Sequence, residues 1–336
     1  MNSERPEVSV VLAVRNAAPT LKEAAQSILH QSLSPKELIL VLNGCTDHSE
    51  LIAQQLAANN HRVSLLESST RGGVAEAAML GCMQTTSPLI ARMDADDIAH
   101  PERLRHQVAV WQKTQADLIT CQVSSLDSLG EGLENFIDWA NGLQKPEDFR
   151  RERFVESPVI QPGVLMTRES YLAAGGYRVE KGPEDYDLWL RMLESGARFF
   201  QAPEALIEWR DSPSRLTRSH DDYAETQMRA TKARYLSRLP AVIENGVILA
   251  GSGPIGRKMA KLLLAENIEI RGFIDVAPRK IGSTALGFPI WGPKDLGKKE
   301  RAAILLGCVG QGKRAAVRTL AKSAGYREGH DFFACC

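Results

Sequence analysis

Strand-like apolar segments and helical patterns alternate through the first third of this 336-residue chain. The segment VSVVLAV, from Val8, is rich in β-branched residues, as fully buried strands are. The segments ELILVL from Glu37, RVSLLES from Arg62 and PLIARM from Pro88 follow it, with a helical pattern between each pair. This alternation is typical of a parallel sheet with crossover helices. The chain is therefore predicted to open with an α/β domain.

Polar residues follow the predicted strands at their carboxyl ends. They are Arg15 and Asn16, Asn43 and Gly44, and Asp94, Asp96 and Asp97. Ligands bind at this edge of an open α/β sheet, and three neighbouring carboxylates repel one another unless a cation lies among them. Asp94 and Asp96 would face one side of an extended strand, and their oxygens suit Mg²⁺ or Mn²⁺. The acidic run also fits a turn in which Asp97 caps the helix after Pro101, so its spacing alone leaves both interpretations open.

A second β-α-β pattern begins with the strand VILA and the sequence GSGPIG that follows it. The glycines at Gly251, Gly253 and Gly256 have the G-x-G-x-x-G spacing of a turn that leads a strand into a helix beneath a phosphate. Asp275 ends the next predicted strand, RGFIDV, where an acid can bond to a ribose hydroxyl. These four residues form a candidate nucleotide site.

Length, charge and cysteine content limit the number of domains, the class of partner and the cellular compartment that we expect. A chain this long usually has more than one core, and we predict two domains, residues 1–240 and residues 245–336. Lys plus Arg equals Asp plus Glu at 41 each, so the net positive charge typical of nucleic-acid binding is absent and no nucleic-acid partner is expected. The six cysteines lack metal-binding or redox spacing, which favours a reducing compartment.

Neither a membrane span nor a secretion signal is evident in the sequence. No apolar stretch reaches the roughly 18 residues that a membrane-spanning helix needs. The N-terminal segment MNSERPEVSVVLAV lacks the basic and apolar regions of a signal peptide. The expected location is the cytoplasm.

Five segments together resemble glycosyltransferase family 2, the inverting enzymes of the GT-A fold. They are VSVVLAVRNAAPTLKEAAQSILHQSL, NGCTDHS, RGGVAEAAMLGC, IARMDADDIAHPERL and GGYRVEKGPEDYDLWLRM. They occur in the family's order over roughly residues 7–220. The resemblance implies the GT-A nucleotide-diphospho-sugar transferase fold, a mostly parallel sheet with helices on both faces. It also implies transfer of a sugar from a nucleotide-sugar donor to an acceptor hydroxyl, with inversion.

The resemblance assigns the acidic residues to the chemistry. Asp94 and Asp96 match the family's DxD element, in which Asp96 would coordinate Mn²⁺ or Mg²⁺ and Asp94 would contact the donor ribose or the water shell of the metal. Asp185, the second acid of EDYD, matches the catalytic base. On the residues alone, the acids of EDYD fit the first turn of a helix, where they oppose the positive end of its dipole. We expect Asp187 to do only that, and Trp189 to be a core residue.

Four further positions match the family's donor site. Asn43 falls where the family pairs a residue with the donor base, and Ala13, Arg15 and Asn16 lie on the nucleotide-facing end of the first strand. An amide can both donate and accept hydrogen bonds, so the base itself stays open.

The chain departs from the family after the last strand of the sheet. Many members have a metal-binding His there, where this chain reads WRDSPSRLTRSH, with Ser212 near the expected position. Asp211 or His220 would be the substitutes, although a His there is typical of a helix start.

Partners and alternatives follow from the same resemblance. It implies a role in bacterial surface polysaccharide or glycan biosynthesis, with a glycan or lipid-linked acceptor that would bring the protein to the inner face of the membrane. The C-terminal region resembles the small Rossmann-like domains of bacterial sugar-modifying enzymes, some of which bind NAD-type or sugar-nucleotide ligands. Two interpretations stay open: a domain that binds NAD(P) or another nucleotide, and a scaffold that has kept the glycine turn without a ligand. The alternatives are a non-catalytic nucleotide-sugar binding protein and an NAD-dependent sugar-nucleotide oxidoreductase centred on Gly251. The oxidoreductase would leave two thirds of the chain unexplained.

Overall fold

The computed structural model describes residues 6–68, 73–127, 130–211, 220–297 and 302–335. Residue contacts divide the chain into two units. The first unit comprises Met1–Phe149 and Pro158–Ser219, and the second comprises Arg150–Ser157 and His220–Cys336. The chain therefore enters the second unit briefly, returns to the first, and then completes the second.

The described strands of the first unit form one sheet. Their bounds are β1 (Val8–Val14), β2 (Glu37–Leu42), β3 (Val63–Glu67), β4 (Leu89–Asp94), β5 (Ile98–Ala99), β6 (Leu118–Ser125), β7 (Leu165–Thr167) and β8 (Phe199–Trp209). The order across the sheet is β3-β2-β1-β4-β7-β6-β8-β5. Strands β3, β2, β1 and β4 are parallel, as are β6 and β8, whereas β7 and β5 are antiparallel to their neighbours. The prediction of a mostly parallel α/β sheet is confirmed.

Helices cover both faces of this sheet. They are α1 (Leu21–Leu29), α2 (Ser49–Asn59), α3 (Gly73–Gln84), α4 (Arg103–Thr114), α5 (Glu131–Asn141), α6 (Pro146–Glu152), α7 (Arg168–Ala173) and α8 (Glu184–Glu194). Val10 and Leu12 of β1 belong to a buried cluster that includes α1 and α4, whereas Val11 belongs to another that includes α3 and α8. Alternate residues of β1 thus enter two cores, which explains its continuous apolar run.

Trp189 lies inside the second of these cores, as predicted. Its side chain is fully buried, and its ring meets Phe199 and Tyr177 edge-on, with centroid separations of 6.5 Å and 6.4 Å. Such edge-to-face pairs stabilise the packing of α8 beyond the burial of apolar area.

The second unit is a smaller, mostly parallel α/β unit. Its bounds are α9 (Glu225–Leu236), α10 (Pro240–Asn245), β9 (Val247–Ala250), α11 (Pro254–Ala265), β10 (Ile270–Ile274), β11 (Thr284–Ala285), β12 (Phe288–Trp291), β13 (Ile304–Gly307), α12 (Arg314–Ser323) and β14 (Phe332–Ala334). The order is β11-β12-β10-β9-β13-β14, and only β11 is antiparallel to its neighbour. Helix α9 packs on α11. Residues 220–240, which the sequence pattern placed with the first domain, therefore lie in this second unit.

The short stretch 150–157 is held in the second unit by charge and aromatic contacts. The carboxylate of Glu152, 5% exposed, accepts hydrogen bonds from Arg318 at 2.7 Å and Arg151 at 2.9 Å. The ring of Phe154 lies edge-on to Phe333, 5.8 Å between centroids. A buried carboxylate with guanidinium partners is costly to expose unpaired, so this stretch is part of the second unit's structure.

No helix among the described residues is both long and apolar enough to cross a membrane.

The third glycine of GSGPIG allows close packing inside the second unit. A Cβ on Gly256 would lie 1.8 Å from the carbonyl oxygen of Gly251, whereas a Cβ on Gly253 would meet no atom within 4 Å. We expect Gly256→Ala to lower the free energy of unfolding by roughly 3 kcal/mol or more through overpacking. Gly253→Ala should cost about 1 kcal/mol or less, since it alters only an N-cap preference. Thermal unfolding of both variants tests this, and equal losses would contradict it.

Candidate active site

The register of three parallel strands brings the predicted donor residues to one edge of the sheet. Ala13 on β1 lies opposite Val41 on β2 and opposite Asp94 on β4. Asn43 follows β2 directly, and its backbone N–H donates to Val14 at 2.9 Å. Because the strands are parallel, their carboxyl ends meet here, so the structure places Ala13, Asn43 and Asp94 together.

The two asparagines at this edge already have hydrogen-bond partners. Asn16 has a left-handed backbone with φ of 49°, and its side-chain oxygen accepts from the Thr46 N–H at 2.8 Å. Asn43 is 3% exposed, and its side chain lies 3.2 Å from the hydroxyl of Ser68. Asn16 thus joins the loops after β1 and β2. Arg15 beside it is exposed, and the donor-binding roles of these residues stay predictions.

The acidic run forms a tight turn. Strand β4 ends at Asp94, and Ala95 and Asp96 form the turn that follows. The expectation that both acids share one side of an extended strand was wrong, because Asp96 lies outside the strand. Ala95 is buried while Asp94 and Asp96 are partly exposed. Burial therefore alternates through the turn, and both acids retain access to solvent.

Asp97 is a buried support of this turn and not a helix cap. It is 1% exposed, and its carboxylate accepts the backbone N–H of Arg210 at 2.8 Å. Helix α4 begins at Arg103, with Glu102 at its N-cap position. The prediction that Asp97 caps the helix after Pro101 was therefore wrong.

Two fully buried arginines lie beneath the turn. Arg92 on β4 donates to the carbonyl of Val11 at 2.5 Å, and its other terminal nitrogen lies 3.6 Å from the carboxylate of Asp94. Arg103 on α4 donates to the carbonyls of Arg92 at 2.7 Å and Val164 at 3.1 Å. Burial lowers the pKa of Arg103 to about 10, so it stays charged at neutral pH. Neither residue could be identified from the sequence, since one Arg within an apolar strand and one Arg at the start of a helix give no periodic signal.

Asp185 is brought within electrostatic range of the acidic turn. It lies in the first turn of α8 and is partly exposed. Burial of its carboxyl raises its pKa well above the usual range, and the carboxylates of Glu184 and Asp94 raise it further. A carboxyl with a raised pKa and some access to solvent is suited to accept a proton.

Asp187, two residues further along α8, makes a structural contact. Its carboxylate accepts from Arg191 at 2.8 Å in a buried pair. Arg191 also donates to the carbonyl of Gly176 at 2.7 Å. This pair fixes the Gly175-Gly176 loop against α8, which separates the role of Asp187 from that of Asp185.

The residues proposed as a third metal ligand lie in different settings. Asp211 is bonded through its backbone N–H, which donates to the carboxylate of Asp127 at 3.0 Å. His220 belongs to the second unit, where its ring nitrogen accepts the Asp222 N–H at 3.3 Å, as a helix-start residue does. Ser212 lies outside the described residues. Within those ranges, no group of three or more His, Cys, Asp or Glu side chains is arranged to hold a metal ion.

Asp275, the acid of the candidate C-terminal nucleotide site, also has hydrogen-bond partners within the protein. The carboxylate of Asp275 accepts from Lys280 at 2.8 Å, from the Ala277 N–H at 3.0 Å, and from the N–H and hydroxyl of Ser252. Together these partners hold the pKa of Asp275 below its usual range, against the effect of burial. A ribose hydroxyl would have to displace one of them, so NAD(P) or nucleotide binding there stays a prediction.

The sequence of the first unit is similar to those of known glycosyltransferases. Residues 9–172 match the family described as "Glycosyl transferase family 2". The putative glycosyltransferase EpsE of Bacillus subtilis is 32% identical over 241 residues, which are 67% of this chain and 80% of EpsE. The amylovoran biosynthesis glycosyltransferase AmsE of Erwinia amylovora is 25% identical over 210 residues, 62% of this chain and 73% of AmsE.

Solved structures share the fold. Residues 1–349 of TarS from S. aureus, in complex with UDP-GlcNAc, align with a TM-score of 0.56 at 16% identity, over 70% of this chain and 67% of that one. The mannosyltransferase PcManGT of Pyrobaculum calidifontis, in complex with GDP-Man and Mn²⁺, aligns with a TM-score of 0.51 at 19% identity, over 70% of this chain and 63% of that one. The chain belongs to glycosyl transferase family 2.

The raised pKa of Asp185 predicts a gain of stability on its removal. The folded state favours the protonated form of this carboxyl more than the unfolded state does, so ionisation of the carboxyl costs folding free energy. We expect Asp185→Asn to raise the free energy of unfolding at pH 7 on the order of 1 kcal/mol, or roughly 2–4 °C in Tm. The gain should shrink as the pH falls through the raised pKa, and vanish below the usual carboxyl range.

Asp187→Asn is the matched control. It lies two positions along the same helix but breaks the buried pair with Arg191, so it should lose about 3–5 kcal/mol. Thermal unfolding of both variants between pH 4 and pH 8 measures the difference. A loss of stability in Asp185→Asn at pH 7 would rule out the electrostatic cost assigned to this carboxyl.

Proposed function

We propose that this chain transfers a sugar, with inversion and with help from a divalent cation, from a nucleotide-sugar donor to an acceptor hydroxyl. The observation that carries the proposal is that the carboxylate of Asp94, at the carboxyl end of β4, lies close enough to Asp185 to raise its pKa. Keeping several carboxylates together without a charged ligand costs stability. A nucleotide-sugar site with a cation and a general base uses all of them.

The donor would lie over the ends of β1, β2 and β4. Asn43 would bond to the base, while Ala13 and Arg15 would line the nucleoside, and Asn16 would keep the loop after β1 in place. Asp94 would contact the ribose. The alignment of Ala13 with Asp94 in the strand register supports one continuous site. UDP-GlcNAc in TarS and GDP-Man in PcManGT are donors of this class.

The carboxylates of the acidic turn fit a hard divalent cation. Asp96, aided by Asp94, would hold Mn²⁺ or Mg²⁺, ions that take one or two carboxylates and complete their shell with water and substrate phosphates. Such a site requires no third protein ligand. When bound, the ion would neutralise the charge that develops on the leaving diphosphate.

The proposed reaction is a single displacement. The acceptor hydroxyl oxygen attacks the anomeric carbon from the face opposite the diphosphate, and its proton passes to the carboxylate of Asp185. The bond between the anomeric carbon and the diphosphate oxygen breaks, and the nucleoside diphosphate leaves with the electron pair. One displacement inverts the anomeric centre. The raised pKa of Asp185 makes it a stronger base than an ordinary carboxylate.

The acceptor class is proposed from the named relatives. AmsE acts in amylovoran biosynthesis by its name, and we propose a bacterial surface polysaccharide or glycan, free or lipid-linked, as the acceptor of this chain. A lipid-linked acceptor would bring the protein to the membrane surface without a membrane-spanning helix. A non-catalytic nucleotide-sugar sensor is favoured less, because it has no need of a base beside the donor.

Thermal unfolding with nucleotides tests the donor site. We expect UDP or GDP, or their sugars, to raise the Tm of the wild type in the presence of Mn²⁺, because a ligand that binds only the folded state stabilises it by mass action. Asp96→Asn should lose the Mn²⁺-dependent part of this shift. If no nucleotide shifts the wild type with or without Mn²⁺, the donor site is refuted.

Turnover separates the base from the donor site. Asp185→Asn should keep the Mn²⁺-dependent shift but lose sugar transfer by about 10²–10⁴-fold, the usual contribution of a general base. Hydrolysis or transfer of the donor sugar, followed by the anomeric configuration of the product, is the measurement. Retained turnover in Asp185→Asn, or a product with retained configuration, would contradict the mechanism.

A further inference from the structure

The backbone of the acidic turn is held from outside by Arg210. This residue directly follows Trp209, the last residue of β8. Its guanidinium Nε donates to the carbonyl of Asp96 at 2.9 Å, and its backbone N–H donates to the carboxylate of Asp97 at 2.8 Å. A single residue therefore bonds to two consecutive positions of the turn.

A second contact comes from the start of α1. The hydroxyl of Thr20 donates to the carbonyl of Ala95 at 2.8 Å, and no side-chain cap bond forms at this helix start. The Glu23 carboxylate instead accepts from the Arg210 guanidinium at 3.2 Å. Thr20 thus bonds to the carbonyl of Ala95, and Arg210 bonds to the carbonyl of Asp96.

These contacts constrain the backbone on both sides of the Asp96 Cα. Because the Cβ is bonded to that Cα, fixing the carbonyls of Ala95 and Asp96 restricts the direction in which the Asp96 side chain leaves the backbone. A guanidinium offers several donors in one rigid plane. In Arg210 one donor reaches the turn and another reaches Glu23, which a lysine ammonium on a flexible stem cannot reproduce.

The geometry points to Arg210 as a positioning residue that sets the orientation of Asp96 toward the divalent cation and the donor diphosphate. This inference rests on the proposed function. Arg210 acts through the turn, as residues that orient metal ligands do in other proteins, where their loss typically costs 10–100-fold in metal affinity.

The sheet itself does not require this contact. Strand β8 is already paired with β6 along most of its length and with β5 at its end. The guanidinium is 30% exposed and Glu23 is 58% exposed, so the ion pair between them contributes little stability. Losing the side chain removes the hydrogen bond to the Asp96 carbonyl. The turn then keeps the bond from the Thr20 hydroxyl and the bond from the backbone N–H of Arg210 to Asp97.

The test is a Mn²⁺ titration of the full chain by thermal unfolding, at a fixed concentration of the nucleoside diphosphate that stabilises the wild type. In Arg210→Gln we expect the Mn²⁺ concentration for half of the full Tm shift to rise about tenfold or more. Arg210→Lys, which keeps the charge but loses the planar fork, should behave like Arg210→Gln. A wild-type midpoint in Arg210→Lys would show that charge alone suffices and would overturn the assignment.

Two further variants bracket the result. Glu23→Gln removes only the exposed contact between Glu23 and Arg210 and should leave the Mn²⁺ midpoint within about twofold of the wild-type value. Thr20→Val removes the hydrogen bond to the Ala95 carbonyl and should raise the Mn²⁺ midpoint. An unchanged midpoint in Arg210→Gln, with only a lower Tm without ligand, would assign Arg210 a purely structural role. A wild type that shows no Mn²⁺-dependent shift would contradict the proposed function itself, before any variant is compared.

Discussion

The acidic edge of the first unit depends on charge buried directly beneath it. Arg92 and Arg103 lie within the sheet and its covering helix, and they donate to backbone carbonyls of β1 and β4 and of the segment before β7. Gln107 extends the network, since its amide donates to the carbonyls of Ile119 at 3.0 Å and Gly163 at 2.7 Å. Buried guanidinium groups are costly unless their donors are bonded. The network therefore fixes β4 relative to its neighbours and gives Asp94 a permanent counter-charge.

The same edge shows a conflict between stability and chemistry. The protein places Asp185 where its charge is unfavourable, near Glu184 and Asp94, although a neutral side chain would fold there at lower cost. Such local costs are expected at sites where function requires a perturbed carboxyl. By contrast, Asp187 in the same helix turn is fully paired with Arg191. The contrast between these two acids of one EDYD motif supports the proposed chemical role of Asp185 and gives Asp187 a structural one.

Much of the fold could be predicted from the sequence because its signals are local. Runs such as VSVVLAV and VILA become strands β1 and β9 through β-branched content, and Trp189 is buried as its apolar neighbours indicate. The supports of the site could not be predicted in this way. Arg210 and Asp97 are hydrogen-bonded although more than a hundred positions separate them in the sequence. The hydroxyl of Thr20 likewise donates to the carbonyl of Ala95, which is distant from it in the sequence. Local patterns carry no information on such partners.

The path of the chain through its two units limits where the chain can be truncated and whether one unit can be exchanged for another. Residues 150–157 are an internal insertion that completes the second unit, so the backbone crosses between units three times, after Phe149, Ser157 and Ser219. A truncated chain that ended at Ser219 would keep Glu152 and Phe154 but lose Arg318 and Phe333, their partners. It would expose a carboxylate that has lost one of its two guanidinium partners, and an aromatic ring that has lost its neighbour. In modular terms the C-terminal unit cannot be removed or grafted as a simple tail, because part of it is encoded inside its neighbour.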